Sequence, residues 1–255
     1  MIHTDTFTVN SFQVDGKNRV TPAVLFGMMQ ECASLYCLEN NIGIDDLAKK
    51  SLTWMLARQY VKFSAFPSWR SLVTVETWPR SKTGLRALRD YLVTDEAGNE
   101  VARSVTNWML IDTKSRRLCK VDETISHITV VEKSVMPDNF KIKVDKPGDD
   151  EGGGRLGTLF RVRASDFDIN SHVNNLCYIR WALDTLSYDF YKSNTLSEIY
   201  AEFIEEISSE TDIESTVVPL PDTGESSFYH ELRNMESGHI VFRGRTTWKE
   251  GDLDS

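Results

Sequence analysis

The chain has 255 residues, of which 40% are hydrophobic and 26% charged, and its formal net charge is -9. These values are typical of a globular protein, and no apolar run approaches the ~20 residues that a membrane-spanning helix needs, so the sequence predicts no membrane protein. The acidic balance also opposes binding to nucleic acid or to anionic membrane surfaces, because like charges repel.

The first fourteen residues have neither the basic start and apolar middle of a secretion signal nor the Arg-rich character of a transit peptide, so we expect a cytoplasmic protein. The four cysteines show no CxxC spacing and no histidine at ligand spacing, which favours neither a disulfide scaffold nor a zinc site. We therefore expect free thiols, no metal and no cofactor. The cysteines are Cys32, Cys37, Cys119 and Cys177.

A long helix is predicted to begin after Thr21, with Thr21 at the N-cap and Pro22 at the first helical position, where proline is well tolerated. Its apolar residues recur at helical spacing and predict one buried stripe. The stripe consists of Leu25, Met28, Met29, Cys32 and Leu35.

Extended segments follow this helix. Residues 71–78, 86–94 and 101–111 alternate or run apolar, and a tight turn at 96–99 joins the last two. This pattern predicts an antiparallel sheet with one covered face. After it, residues 136–157 include a Gly-rich acidic run that is unsuited to packing, so we expect a linker there between domains at 1–135 and 158–250.

The second half repeats the first. Asp15 and Val20 precede the first helix as Asp168 and Val173 precede a second one. A constant offset also superposes two later segments, matching Gly98 with Gly238, Val101 with Val241, Arg103 with Arg243, Thr106 with Thr246 and Trp108 with Trp248. A helix against an antiparallel sheet, made twice, predicts an α+β protein of two tandem hotdog domains, each a long helix wrapped by its sheet.

Polar residues crowd before the second helix. Asn174 is the expected N-cap, and the cluster as a whole could be only a capping loop. Against that reading, Lys17 and Arg19 stand in the first copy where the second has Asn170 and His172. The two residues are therefore not needed to build the repeat, and we expect a site in the second copy only. Backbone N–H groups at the helix start would favour a developing oxyanion there.

An acid is expected on the segment 200–208, which reads as a strand and carries Glu202, Glu205 and Glu206. Aligning residues 60–63 with 203–206 places Phe63 opposite Glu206, so the first copy lacks this acid. The alternative is an exposed edge strand with surface acids. No serine elbow or Cys–His signature is present, and Cys177 is expected in the core.

These residues resemble the acyl-acyl carrier protein thioesterases of plants and bacteria, which carry two hotdog repeats in one chain. The resemblance depends on Asp-Phe-Asp-Ile-Asn-Ser-His-Val-Asn-Asn at 166–175 and Tyr-Ile-Arg-Trp at 178–181, with supporting matches at 54–58, 69–78, 89–91 and 107–118. It implies that Asp168, Asn170, His172 and Glu206 are catalytic. The family often has cysteine after this glutamate, but here Ile207 follows it, which argues against a thiol mechanism.

The resemblance implies hydrolysis of a fatty acyl thioester on acyl carrier protein, which ends chain elongation, with Glu206 as the base for water or as the nucleophile. The first domain would then hold the acyl chain, lined by Met28, Met29 and Cys32. An acyl-CoA thioesterase or hydratase on the same fold, or a non-catalytic acyl-binding protein, are the alternatives. We expect a monomeric pseudo-dimer or a homodimer.

The carrier protein is itself acidic, so it needs a local basic face on an enzyme of net charge -9. Two sets of basic residues are candidates for that face. The first is Arg80, Lys82, Arg86 and Arg89, and the second is Lys114, Arg116, Arg117 and Lys120.

Overall fold

The computed structural model describes residues 1–137, 140, 142–144, 146–147, 154–221 and 226–251. The chain forms two units, Met1–Lys141 and Ile142–Ser255. Much of the predicted linker at 136–157, including residues 148–153 of its Gly-rich run, lies outside the described residues. The linker therefore stays a prediction.

The first unit places an antiparallel sheet against a long helix. In chain order its elements are β1 (His3–Thr8), α1 (Pro22–Glu39), α2 (Ile44–Ala48), β2 (Leu52–Phe63), β3 (Leu72–Thr83), β4 (Arg86–Asp95), β5 (Glu100–Asp112), β6 (Leu118–Cys119) and α3 (Val121–Thr124). Its strands are ordered β1-β3-β4-β5-β2, and β6 pairs with β5.

The second unit repeats this order. Its elements are β7 (Leu156–Arg161), α4 (Asn175–Leu183), α5 (Tyr188–Ser193), β8 (Asn194–Phe203), β9 (Asp212–Leu220), β10 (Ser226–Asn234) and β11 (Ile240–Glu250). The strands run β7-β9-β10-β11-β8, so each occupies the place of its counterpart in the first unit. The predicted α+β class with two tandem hotdog repeats is confirmed.

The start of α1 is where the sequence predicts it, with Thr21 at the N-cap and Pro22 at the first helical position. The Thr21 hydroxyl accepts no capping hydrogen bond, and its backbone carbonyl accepts from the N–H groups of Val24 and Leu25 instead. Of the predicted stripe, Leu35 is half-buried, whereas the other four residues are buried. Tyr36 takes the buried position at the end of the stripe.

The second helix is shorter than predicted. α4 has nine residues and ends at Leu183, with Asp184 as its C-cap. After a turn, the Ser187 hydroxyl accepts from the Phe190 N–H and caps the separate helix α5. Each new helix start needs acceptors for its first N–H groups, and Ser187 supplies one. None of the described helices is long and apolar enough to cross a membrane.

The repeat extends to side-chain hydrogen bonds. On β5 the Trp108 indole N–H donates to the Thr106 hydroxyl at 2.9 Å, and on β11 the Trp248 N–H donates to Thr246 at 2.9 Å. The sequence repeat pairs these same four residues. The agreement of their geometry confirms that the match reflects a duplicated unit.

One buried histidine makes the stability of the second unit depend on pH. His230 on β10 is fully buried, and its Nε2 lies 2.8 Å from the Thr246 hydroxyl. Burial disfavours the imidazolium and lowers the pKa of His230 from 6.5 to about 4. The unfolded chain therefore binds a proton between these values that the folded chain does not bind, and stability falls as pH falls through this window.

We expect the free energy of unfolding to drop by up to about 3 kcal/mol between pH 7 and pH 4 through this group. Urea unfolding at both pH values measures the drop, and His230→Gln should make it smaller. His239→Gln, which changes an exposed histidine, is the matched control. Equal pH dependence in wild type and His230→Gln would contradict the assignment.

Candidate active site

The loop before α4 is shaped by one carboxylate. Asp168 Oδ1 accepts hydrogen bonds from the backbone N–H groups of Asn170 at 2.8 Å and His172 at 3.4 Å. The Asp168 N–H donates to the His172 carbonyl at 2.8 Å, and Ser171 takes a left-handed backbone with φ 59°. The Asp168 carboxylate therefore fixes the turn that carries His172.

The first unit builds the same loop with different side chains. Asp15 Oδ1 accepts from the backbone N–H groups of Lys17 at 2.8 Å and Arg19 at 3.0 Å, and Asn18 has φ 60°. The Arg19 guanidinium folds back onto the Asp15 carboxylate at 3.0 Å. The loop backbone is thus common to both units, as the sequence match predicts.

Glu206 is held against this loop by the main chain. The N–H of Val173, the residue after His172, donates to the carbonyl of Ile207, the residue after Glu206, at 2.8 Å. In the first unit the Val20 N–H donates to the Pro67 carbonyl at 2.8 Å in the same way. One backbone bond therefore sets the register between the loop and the segment that follows β8.

The prediction of a strand over 200–208 is wrong beyond Phe203, where β8 ends. The N–H groups of Ile204 and Glu205 both donate to the Val241 carbonyl, so the segment leaves the sheet there and strand alternation no longer decides where its acids point. The N–H groups of Ser64 and Ala65 converge in the same way on the Val101 carbonyl in the first unit.

The predicted counterpart of Glu206 also needs correction. Since Pro67 corresponds to Ile207 by its hydrogen bond, the residue that corresponds to Glu206 is Phe66, not Phe63. Phe66 stacks on Phe63 with ring centroids 5.0 Å apart. The conclusion that the first unit lacks this acid is unchanged, because both candidates are phenylalanine.

The structure brings His172 and Glu206 together. His172 Nε2 lies 3.8 Å from Glu206 Oε2, and their side chains are 31% and 24% exposed. This separation permits an ion pair when the imidazole is protonated, and it exceeds a direct hydrogen bond. A half-buried imidazole facing a carboxylate can move a proton to or from a bound reactant or water.

The other two predicted acids point elsewhere. The Glu205 carboxylate lies 3.0 Å from His239 Nδ1 on the surface, and Glu202 sits opposite Arg243 in the pairing of β8 with β11. Of the three candidates, Glu206 is the one whose carboxylate is recorded beside the His172 imidazole.

The structure records no contact between the His172 imidazole and the side chains of Asn170 and Asp168, the other two residues predicted to be catalytic. Asn170 is exposed, and its side chain makes no hydrogen bond with any described residue. The described hydrogen bonds of the Asp168 carboxylate go to backbone N–H groups rather than to the imidazole. The structure thus joins Asp168 to His172 through the loop, and it leaves the Asn170 amide facing solvent.

Most backbone N–H groups at the start of α4 already donate to an acceptor within the protein. The Asn174 N–H donates to the Asp166 carbonyl at 2.8 Å, and Asn174 Oδ1 accepts from the Leu176 N–H at 2.9 Å, which confirms Asn174 as the N-cap. The Cys177 N–H donates to the Asn174 carbonyl. Within the described chain, the Asn175 N–H is the first-turn donor without an acceptor, so it is the donor best placed for an oxyanion.

Two side chains around the loop carry roles that were not assigned from the sequence. Asp166 is buried, accepts from the Arg163 N–H at 2.8 Å and pairs with Arg180 at 2.9 Å. Tyr178 lies within the quoted Tyr-Ile-Arg-Trp motif, and its hydroxyl contacts the backbone of Glu205 and Ile207. The motif marks Tyr178 as a candidate, but its partners are nearly thirty residues away in sequence.

Cys177 is a core residue, as predicted. Burial, aided by the nearby Asp166 carboxylate, raises the pKa of the Cys177 thiol to about 12. A thiol with such a pKa stays protonated and is a poor nucleophile. Among the described residues, no group of three or more His, Cys, Asp or Glu side chains could hold a metal ion.

Two family models match the chain. The model described as the acyl-ACP thioesterase N-terminal domain matches residues 1–129, and the model of the acyl-ACP thioesterase C-terminal domain matches residues 155–250. The second range contains His172 and Glu206.

Curated relatives resemble nearly the whole chain. A chloroplastic acyl-acyl-carrier-protein hydrolase, FATB3 of Cuphea viscosissima, is 29% identical over 96% of this chain, and the match spans 61% of the relative. A chloroplastic oleoyl-acyl carrier protein thioesterase of Arabidopsis thaliana is 27% identical over 96% of this chain and 76% of the relative. The chain therefore spans about three fifths to three quarters of the length of these two relatives.

Solved structures share the fold. An acyl-ACP thioesterase from Bacteroides thetaiotaomicron superposes with a TM-score of 0.82 at 22% identity, covering 97% of this chain and 98% of the other. A 12:0-ACP thioesterase from Umbellularia californica gives a TM-score of 0.85 at 24% identity, covering 98% and 94%. At these identities the likeness establishes the fold alone.

The role of Asp168 in the loop gives a stability prediction. Asp168→Ala should lower the free energy of unfolding by about 1–2 kcal/mol, because two backbone N–H groups lose their acceptor. Asp168→Asn keeps an acceptor oxygen and should stay close to wild type. Asp15→Ala is the matched change in the first unit and should cost a similar amount. Urea unfolding measures all three, and an Asn variant as unstable as the Ala variant would contradict the assignment.

Proposed function

Because this chain belongs to the acyl-ACP thioesterase family, we propose that it hydrolyses the thioester of a fatty acyl chain carried on acyl carrier protein. The products are the free fatty acid and the carrier thiol. The observation that carries the proposal is the His172–Glu206 pair beside the start of α4. The pair lies in the unit that matches the family's C-terminal domain, and its counterparts in the other unit are Arg19 and Phe66.

In the proposed reaction, water attacks the thioester carbonyl carbon. Glu206 takes a proton from this water, and the carbonyl oxygen becomes an oxyanion that the Asn175 N–H stabilises. The C–S bond then breaks, and His172 passes to the leaving thiolate the proton that Glu206 took from the water, which returns both side chains to their starting state. A second route, in which Glu206 itself attacks the carbonyl carbon and water later hydrolyses the anhydride, uses the same residues.

Two further residues have supporting roles in this proposal. Asp168 holds the loop that presents His172 through its backbone hydrogen bonds. Asn170 keeps an exposed amide in the same loop, where it would orient the thioester carbonyl or the water. The proposed set of catalytic residues is therefore Glu206, His172 and Asn170, with Asp168 acting through the loop.

The acyl chain is assigned to the first unit. Met28, Met29 and Cys32, predicted to line the pocket, are buried on α1, which packs against the sheet of that unit. Methionine side chains adapt easily to the shape of a flexible apolar ligand. The free fatty acids released by variants at Met29 test this assignment.

Location and assembly complete the proposal. The protein is assigned to the cytoplasm, although the relatives compared above are named as chloroplastic. We propose that the protein is either a monomer whose two repeats form a pseudo-dimer or a homodimer. Cell fractionation and light scattering of the purified chain test these two assignments.

Glu206→Gln should lower kcat on acyl-ACP by about 10²–10⁴-fold, because the amide cannot accept the proton. Glu205→Gln makes the same chemical change one residue earlier, at a carboxylate paired with His239 on the surface, and should stay within about twofold of wild type. His172→Gln and His239→Gln form the matching histidine pair. Steady-state release of free thiol measures all four.

A folded Glu206→Gln or His172→Gln enzyme with wild-type kcat would remove these residues from the mechanism. A wild-type chain that binds acyl-ACP without releasing thiol would favour the non-catalytic alternative. Equal turnover of the same acyl chain on CoA would favour the acyl-CoA alternative.

The carrier protein needs a basic face, and the internal contacts of the first candidate set favour the second set. In the first set, Arg89 is buried over the Tyr36 ring at 4.3 Å, and the Lys82 ammonium donates to the Ile125 and Ser126 carbonyls. Arg80 has an 11% exposed side chain and lies 3.9 Å from the buried Asp90 carboxylate. These three residues are committed to internal contacts, and Arg86 is the one exposed member of the first set, so we assign the docking face to the second set.

The second set lies on the exposed segment from the β5–β6 turn to Lys120. Lys114→Glu with Arg117→Glu should raise KM for acyl-ACP about 5–10-fold at low salt and leave KM for acyl-CoA unchanged, because only the protein substrate needs this face. Lys49→Glu with Lys50→Glu is the control with the same change in net charge. Equal effects of both double variants on acyl-ACP would contradict this docking face.

A further inference from the structure

Tyr178 contacts the backbone on both sides of Glu206. Its hydroxyl donates to the Glu205 carbonyl at 3.1 Å and accepts from the Ile207 N–H at 3.0 Å. These are the last carbonyl before Glu206 and the first N–H after it. A single hydroxyl therefore fixes the two peptide groups from which the Glu206 side chain projects.

The Tyr178 ring is itself immobilised. It is 2% exposed and lies among Phe203, Trp181 and Phe242, with ring centroids 5.8, 6.1 and 6.3 Å away. Close packing of this kind restricts a side chain to one rotamer. Burial also raises the pKa of the Tyr178 hydroxyl well above its usual value, so the group stays protonated and remains a donor.

The hydroxyl connects the two partners of the site through a short piece of chain. Tyr178 lies in α4, which begins three residues after His172. Ile207 is bonded to the same piece of chain twice, through its N–H to Tyr178 and through its carbonyl to the Val173 N–H. The position of Glu206 relative to His172 therefore depends on both bonds.

The first unit has one of these bonds and lacks the other. The Val20 N–H still donates to the Pro67 carbonyl. Where the second unit has Tyr178, the first has Leu25, and where it has the Ile207 N–H, the first has Pro67, which has no N–H to donate. The hydroxyl bridge is thus not required to fold the repeat, and it occurs in the unit that carries the acid and the histidine.

We propose that Tyr178 is a positioning residue for the thioester hydrolysis. Its hydroxyl bridges the Glu205 carbonyl and the Ile207 N–H and so holds Glu206 at the proper distance from His172. This role rests on the function proposed above. It assigns no contact between Tyr178 and the substrate. The competing explanation is that the hydroxyl only satisfies two buried backbone groups.

Tyr178→Phe tests the role because it removes the bridge and keeps the ring. We expect kcat on acyl-ACP to fall about 10–100-fold, as misplacement of a reacting group by about 1 Å does, with KM within about twofold of wild type. Tyr229→Phe is the matched control: Tyr229 is buried in the same unit, and its hydroxyl donates to Glu231 at 3.0 Å. Tyr178→Phe and Tyr229→Phe should each lower Tm by a few degrees, because each loses the hydrogen bonds of a buried hydroxyl. Tyr229→Phe should leave kcat unchanged.

A second variant removes the bridge from its other end. Ile207→Pro deletes the N–H that donates to Tyr178 and introduces the residue that the first unit already has at this backbone position. We expect the same loss of kcat at unchanged KM. If either folded variant keeps kcat within about twofold of wild type, the positioning role is wrong.

The wild-type chain and Glu206→Gln together separate failure of this role from failure of the proposed function. A wild-type chain that releases no thiol from acyl-ACP would overturn the function, whereas a Glu206→Gln enzyme with wild-type kcat would remove Glu206 from the mechanism and overturn the positioning role with it. If that variant is inactive and Tyr178→Phe keeps wild-type kcat, only the positioning role fails. In the Glu206→Gln background, adding Tyr178→Phe should lower kcat by less than about twofold more. A further loss as large as that of Tyr178→Phe alone would show that Tyr178 acts independently of Glu206.

Discussion

The hydrogen bond from the Val173 N–H to the Ile207 carbonyl is the constraint on which the candidate site depends. It joins the peptide N–H that follows His172 to the carbonyl of Ile207, the residue after Glu206, although His172 and Glu206 lie more than thirty positions apart in sequence. A side chain on either segment could reach the other only in this register. Since the bond involves main-chain atoms alone, it leaves the neighbouring side chains free to differ between the two units.

The first unit shows what that freedom allows. It keeps the equivalent bond from Val20 to Pro67 and the same carboxylate-supported loop at Asp15, yet Arg19 turns back onto Asp15 and Phe66 stacks on Phe63. The same backbone hydrogen bonds therefore support a pair of stacked phenylalanines in one unit and an imidazole–carboxylate pair in the other. The chemistry requires few changes beyond the fold: His172, Glu206 and, in our proposal, the Tyr178 bridge.

The helix starts and the repeated strands are predictable from the sequence because they depend on residues close together in the chain. Thr21-Pro22, the Asn174 cap and the matched Trp108 and Trp248 strands each depend on neighbours in sequence, and the structure places them as predicted. The end of β8 was not predictable in this way, because the chain leaves the sheet where two N–H groups converge on the distant Val241 carbonyl. That error shifted the counterpart of Glu206 from Phe66 to Phe63. Likewise, Arg89 reads as a surface cation, and only tertiary packing shows it buried over Tyr36.

In the function proposed above, the second unit of a duplicated fold hydrolyses acyl thioesters on a carrier protein, and the first unit binds the acyl chain. The most direct test is a single-turnover experiment in which excess wild-type protein is mixed with acyl-ACP and quenched over time. We expect the wild-type protein to release equal amounts of free fatty acid and free carrier thiol. Neither product should form on the same timescale with Glu206→Gln. Intact acyl-ACP bound to the wild-type protein throughout the time course would contradict the account.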